Sequence, residues 1–380
     1  MENRNQHVPE GWEITKLGRL LKVKYGKDQK TIESSNGNYP ILGTGGIIGR
    51  TNTALYSKPS VLIGRKGSID RPYYMDTPFW TIDTLFYTEI INVVSPKYIY
   101  YYFCIIDWRK LEESTGVPSL SATAISNVKI PLPPLPEQRA IAEILTAADR
   151  LIFLKERLID AKHKQKLWLM QNLLTGKVRL KGFKKKWKEA KLGEICTIFS
   201  GGTPSRNNFT YWKNGTIKWL SAKCIENDRI IGYEFITEDG LRSSTTKVSL
   251  PNSIILVTRV SVGKIALCDE VYAINQDISV INPLNFIVNI FLFYYLKIRT
   301  REILNKTQGL AIKGITQDEL KDINIFLPPL PEQRCIAEIL STADKELDLL
   351  THELGQQKLV KKYLMQQLLT GRIRVKGASL

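Results

Sequence analysis

One block of this chain is written twice. Residues 132–145 read LPPLPEQRAIAEIL and residues 327–340 read LPPLPEQRCIAEIL, the only change being Ala140 against Cys335. The interval from 132 to 327 is 195 residues, and the same interval separates LMQNLLTGKVRLKG (169–182) from LMQQLLTGRIRVKG (364–377). Two blocks in one register make the chain a tandem duplication, and the fold must place one supersecondary unit twice. A weaker echo opens each half, Trp12 to Gly18 against Trp187 to Gly193 at an interval of 175 residues. Between the echoes the halves diverge. The expected order is therefore variable (1–130), repeated (131–182), variable (183–325), repeated (326–380).

The repeated segments read as long helices. Pro-Pro-Leu-Pro opens each, with proline tolerated only in a first turn, and Glu137 and Glu332 follow where the helix dipole favours negative charge. Thr-Gly closes each, at Gly176 and Gly371, glycine being the usual residue just past a helix end. About 39 residues at 1.5 Å rise make a rod of roughly 58 Å. Ile141, Leu145, Ala148, Ile152, Ile159, Leu169 and Leu173 recur at three- and four-residue steps, and Ile336, Leu340, Ala343, Leu347, Leu350, Leu354, Leu364 and Leu368 keep the matching register. Lys155, Lys162, Lys166, Gln357 and Lys361 interrupt the pattern, which predicts a two-helix coiled-coil seam weakened by polar positions rather than a deep bundle core. The alternative is that each helix packs within its own half.

Both variable regions read as mixed α and β. Residues 40–46 form a strand running into a glycine turn. Residues 60–69 read strand, basic turn, strand, and 253–265 repeat that plan. An aromatic-rich helix follows in each, around 98–108 and 286–304, then a short helix capped by Ser121 or Thr316. The fold class is α+β: two mixed domains, two long helices forming an antiparallel coiled coil, and a pseudo-two-fold internal repeat.

The formal net charge is +17 and the pI about 9.5. Such a balance points to a polyanion, nucleic acid above all, with a ribosome-adjacent or membrane-surface role as the other reading. Five cysteines and three histidines show no metal-ligand spacing, and no secretory segment opens the chain, so a reducing cytoplasm is expected. The longest apolar runs, 98–106 and 286–296, fall short of the ~20 residues of a membrane span. Catalytic motifs are missing. The glycines of 43–49 lack the dinucleotide spacing because Ile48 holds the third position, and no phosphate loop, Asn-Pro-Pro, His-Glu-x-x-His or G-x-S-x-G occurs. Asp83, Glu89 and Asp277 read as solvated or structural carboxylates. A non-catalytic chain with no cofactor of its own is expected.

At the paired PLPPLPEQR segments and their helices the chain resembles the specificity subunits of Type I restriction–modification systems. GGTPS (201–205), Tyr211-Trp212, residues 217–220 and Gly43 to Gly46 strengthen the likeness. The resemblance implies two target-recognition domains, each reading half of a split, asymmetric site on double-stranded DNA, with the helices as a ruler for the unread spacer. It also implies partners: two modification subunits that methylate adenine N6 with S-adenosylmethionine, and restriction (motor-nuclease) subunits using ATP and Mg. A stand-alone two-domain DNA-binding adaptor or repressor is the other reading. Candidate DNA contacts are basic residues on glycine-rich or strand-turn loops: Arg50, Arg65 and Lys66 in the first domain, and Lys218, Lys223, Arg259 and Lys264 in the second. The stretch 177–191 either tracks phosphates or is a flexible basic linker. Glu137, Gln138 and Arg139, with Glu332, Gln333 and Arg334, either hold the hinge or bind partner subunits.

Overall fold

The computed structural model describes residues 9–112, 116–299 and 314–375. It divides into two compact units, neither of which is continuous in sequence. The first comprises 1–157 and 352–380, the second 158–351. Each long helix, Leu135–Leu173 and Leu330–Leu368, is a single 39-residue element that gives one part to each unit.

The first unit contains β1 (Glu13–Lys16), β2 (Leu21–Lys24), β3 (Tyr39–Gly43), β4 (Gly46–Thr51), β5 (Ser60–Gly64), β6 (Tyr73–Met75), β7 (Trp80–Thr81), β8 (Leu85–Ile90) and β9 (Lys129–Leu132). They form a four-stranded sheet β2-β8-β5-β6, a three-stranded sheet β4-β3-β7 and the pair β1-β9. The expected strand–turn–strand over 60–69 is half right, for the second strand begins only at Tyr73. The second unit contains β10 (Lys188–Lys191), β11 (Cys196–Ser200), β12 (Ile217–Leu220), β13 (Ile225–Glu226), β14 (Arg229–Ile230), β15 (Glu234–Ile236), β16 (Lys247–Ser249), β17 (Ile254–Val257), β18 (Ile265–Leu267), β19 (Tyr272–Ile274), β20 (Ile278–Pro283) and β21 (Asn324–Leu327). Its sheet β11-β20-β17-β18 repeats the order of β2-β8-β5-β6, and its sheet β15-β12-β19-β16 repeats β4-β3-β7 with the further strand β16, keeping the parallel pair, β3 with β7 and β12 with β19. The aromatic helices span Pro96–Ile105 and Asn289–Ile298, the latter starting three residues later than expected, and the expected stretch 300–304 lies outside the described residues. The caps on Ser121 and Thr316 are as expected.

Each unit closes its core with a helix end from the other repeat. In the first, Leu17, Phe86, Tyr98 and Trp108 pack with Ile141 and Leu145, and also with Met365, Leu368 and Leu369. In the second, Leu192, Ile254, Phe291 and Tyr295 pack with Ile336 and Leu340, and also with Met170, Leu173 and Leu174. A fully buried leucine such as Leu174 or Leu369 contributes about 2 kcal/mol. The predicted C′ glycines are left-handed, Gly176 at φ +69° and Gly371 at φ +72°, and they lie against Trp187 and against Pro9 and Trp12 respectively.

Within each unit the helix segments run antiparallel, and the lysines expected to weaken the seam strengthen it. Their stems lie in the seam while their ammonium groups meet acids of the opposite helix. In the first unit Lys155 pairs with Glu353 at 2.6 Å, Lys358 with Glu156 at 2.7 Å, and Lys361 with Asp149. In the second Lys162 pairs with Glu346 at 2.7 Å and Lys166 with Asp344.

Candidate nucleic-acid interface

The repeated Glu-Gln pairs turn inward, which corrects their candidacy as partner contacts. Pro134 and Pro329 precede the long helices and carry no backbone N–H, so the glutamate three residues on lacks its usual capping partner. Glu137 instead accepts from Trp12 Nε1 at 3.0 Å and from Arg374 Nε and Nη2 at 2.7 and 2.8 Å. Glu332 accepts from Trp187 Nε1 at 3.2 Å and from Arg179 Nε and Nη2, both at 2.7 Å. Burial alone would raise the Glu137 carboxyl, but the Arg374 and Trp12 hydrogen bonds outweigh it and hold the group below the usual glutamate range. Gln138 donates to Pro133 O and accepts from Ser95 N at the start of an aromatic helix, while Gln333 does the same between Pro328 O and Val288 N. All four side chains are buried and hold the domain to the helix. Arg139 and Arg334 remain exposed. The 177–191 stretch is likewise anchored, through Arg179, Trp187 and strand β10.

The basic candidates fall on two equivalent turns, two separate strands and one further short turn. After β5, the N–H groups of Arg65 and Lys66 both donate to Thr84 O, Leu120 N donates to Arg65 O, and Lys66 bridges Ser119. After β17, Thr258 N and Arg259 N both donate to Asp277 O, Ile315 N donates to Thr258 O, and Arg259 bridges Gly314. Lys66 and Arg259 thus stand at one position of the shared fold, and both are exposed. Arg65 is held closer in, 5.3 Å over the Tyr25 ring and 3.9 Å from the Asp83 carboxylate. Lys264 closes the second turn, where Val257 N donates to its carbonyl, and its side chain is half-buried.

Three other candidates lie apart. Arg50 on β4 spends its guanidinium on Gly37 O at 2.6 Å and Asn38 O at 3.1 Å, so it braces the 34–38 turn. Lys218 on β12 pairs with Glu270 and lies 4.7 Å over the Tyr233 ring. Lys223 is exposed on a single turn after β12.

Sequence reading missed the polar lining beside Arg259. Ser200, Thr258, Arg259, Gln276 and Gln317 surround a recess of about 380 Å³. Gln317 Nε2 donates to Ser200 Oγ at 3.1 Å, and Gln276 Oε1 accepts from Thr203 at 2.6 Å. Glutamine and arginine carry the donor–acceptor patterns that read base edges. No motif marks them, because they come from four separate segments. It also missed Arg206, which stacks 3.6 Å over Trp212 and forks onto Glu234 at 2.7 and 3.0 Å, holding that carboxyl below its usual range. Among the described residues no group of three or more His, Cys, Asp or Glu is placed to hold a metal ion. No described helix is long and apolar enough to cross a membrane.

A duplicated α+β chain, with a basic turn at the same place in two divergent domains, defines a two-domain protein built on one repeated unit. The comparisons agree. Residues 9–161 and 184–357 match the family described as Type I restriction modification DNA specificity domain, and the chain belongs to that family. It is 29% identical to the Type I restriction enzyme MjaVIII specificity subunit of Methanocaldococcus jannaschii, over 99% of this chain and 96% of that protein. It is also 29% identical to the EcoR124I/EcoR124II specificity subunit of Escherichia coli, over 69% and 66%. Among solved structures, the Type I restriction–modification S subunit from M. genitalium shares the fold with a TM-score of 0.67 at 18% identity, covering 97% of this chain and 98% of that one. The chain is a DNA-recognition subunit of the Type I class.

Proposed function

We propose that this subunit reads a bipartite, asymmetric DNA site, one half with each variable domain, and carries no catalytic activity of its own. The observation behind this is the equivalence of the Lys66 and Arg259 turns, on a common scaffold whose surrounding sequence differs between the units. A shared backbone supplies the same approach to DNA twice, and different side chains supply two specificities. Lys66, Lys223 and Arg259 are the leading contacts of the original set, since their side chains are exposed. Arg65 and Lys264 shape the turns, while Arg50 and Lys218 serve the domain's own structure.

Two modification subunits bring S-adenosylmethionine and flip and methylate adenine, and restriction subunits bring ATP and Mg, all in the cytoplasm. Their docking surface is the outer side of the helix segments, where apolar residues stay exposed. The first unit presents Leu151, Leu154, Leu359 and Val360; the second presents Leu158, Trp168 and Leu349. Arg139 and Arg334 extend these surfaces.

Co-expression with the modification subunit, followed by mapping of methylated adenines across the genome, tests the reading. A two-part motif with an unread gap is expected. Substituting Arg259 should alter only one part of it and substituting Lys66 only the other. A contiguous motif, or none, would overturn the proposal.

A further inference from the structure

The loop joining β17 to β18 holds two successive non-glycine residues in the left-handed region, Val260 at φ +49° and Ser261 at φ +69°. A pair of left-handed residues in a hairpin loop is ordinarily supplied by Asn-Gly, and a β-branched side chain is among the worst tenants of that region. The duplicated domain provides an internal control. There the residue after Lys66 is Gly67, at φ +88°, in the position that Val260 occupies after Arg259. The fold therefore needs a left-handed residue here and does not need valine.

Nor is the valine repaid by burial, since the residue is 63% exposed. Val262, two residues on, packs against the core and fixes the loop, and Gly263 N donates to Val257 O at its base. Val260 thus sits on a fixed loop directly after an exposed arginine that lines the Gln276–Gln317 recess. A strained residue left mostly exposed in the free protein points to a use in a complex.

We infer that Val260 is a specificity-determining residue whose side chain packs on a thymine methyl group in the half-site read by the second domain. The major-groove edge of thymine is the one base edge that offers such an apolar contact, and Arg259 beside it suits guanine or phosphate. This rests on the proposed use of the turn as a DNA contact.

Once the motif is mapped, the test is binding of the full chain with its modification subunits to the cognate duplex. Each thymine of the second half-site is replaced in turn by uracil, which removes only the methyl group. Wild type is expected to lose about fivefold in affinity at one thymine, the scale of one buried methyl group. Val260→Gly should bind the unmodified duplex about fivefold more weakly, show no further loss with uracil, and melt about 3 °C higher as strain is relieved. Val260→Asn, which also tolerates a left-handed backbone, should behave alike in binding. A uracil effect that survives in both variants, or variants that bind as wild type does, would overturn the inference while leaving the bipartite reading standing. Wild type that recognises no two-part site would overturn that reading itself.

Discussion

At the scale of residues, the molecule turns on the two buried carboxylates of the repeated Pro-Glu-Gln-Arg segments. Their neighbours were legible, since proline before the helix and glutamate in its first turn are local signals. Their partners were not, because Trp12 and Arg374 lie 125 and 237 residues from Glu137. Glu332 is fully buried with Arg179 forked onto it. Removing one member of a buried pair strands the other, so Glu332→Ala is expected to lower unfolding free energy by about 3–5 kcal/mol, checked by urea denaturation. For Glu137 the pH dependence has a definite sign. Its folded carboxyl titrates below the ordinary value of 4.5, so the charge stabilises the fold fully above that value. That contribution drains away as pH falls through the lower, folded value. Melting curves of wild type and Glu137→Gln should therefore differ most at pH 6 and converge as the medium is acidified below 4.5. A gap that widens on acidification would show that the carboxylate is not favoured by its surroundings.

At the scale of elements, the helix seam carries two kinds of ion pair. Asp149–Lys361 and Asp344–Lys166 are related by the 195-residue interval, and each aspartate also accepts from a tyrosine, Tyr101 or Tyr294. These are common to both repeats. Lys155–Glu353, Glu156–Lys358 and Lys162–Glu346 have no such counterpart: the positions equivalent to Lys155 and Lys162 are Leu350 and Gln357, and those equivalent to Glu353 and Glu346 are Leu158 and Leu151. Like paired with like would set Lys155 against Leu158, so these three pairs favour one helix of each kind. They are partly exposed and individually worth about 0.5–1 kcal/mol. Lys162→Glu is expected to cost roughly 1 kcal/mol, Glu346→Lys the same, and the double reversal to recover most of the loss in a thermodynamic cycle. Additive costs would mean that the pair is incidental. The heptad positions were readable from spacing alone. Their acidic partners were not, because charge on a helix surface has no periodicity that names its opposite.

At the scale of the whole molecule, the units do not follow the chain. The first combines residues from 9 onward with residues up to 375, and its core includes Met365, Leu368 and Leu369. A chain ending after Thr351 is therefore expected to lose amide protection across 9–112 while residues 190–299 keep theirs, as hydrogen exchange would show. Equal loss in both regions would contradict the division. The sequence by itself determined that there are two domains of one kind, two long helices with known ends, and basic turns placed alike. Those follow from repetition and short-range periodicity. Only the tertiary structure decided which repeat completes which unit. Glu137 opens the first long helix and Arg179 follows that helix's last residue, and the two belong to different units. Each must take its partner from the second copy, and nearly identical words in a sequence cannot say which copy that is.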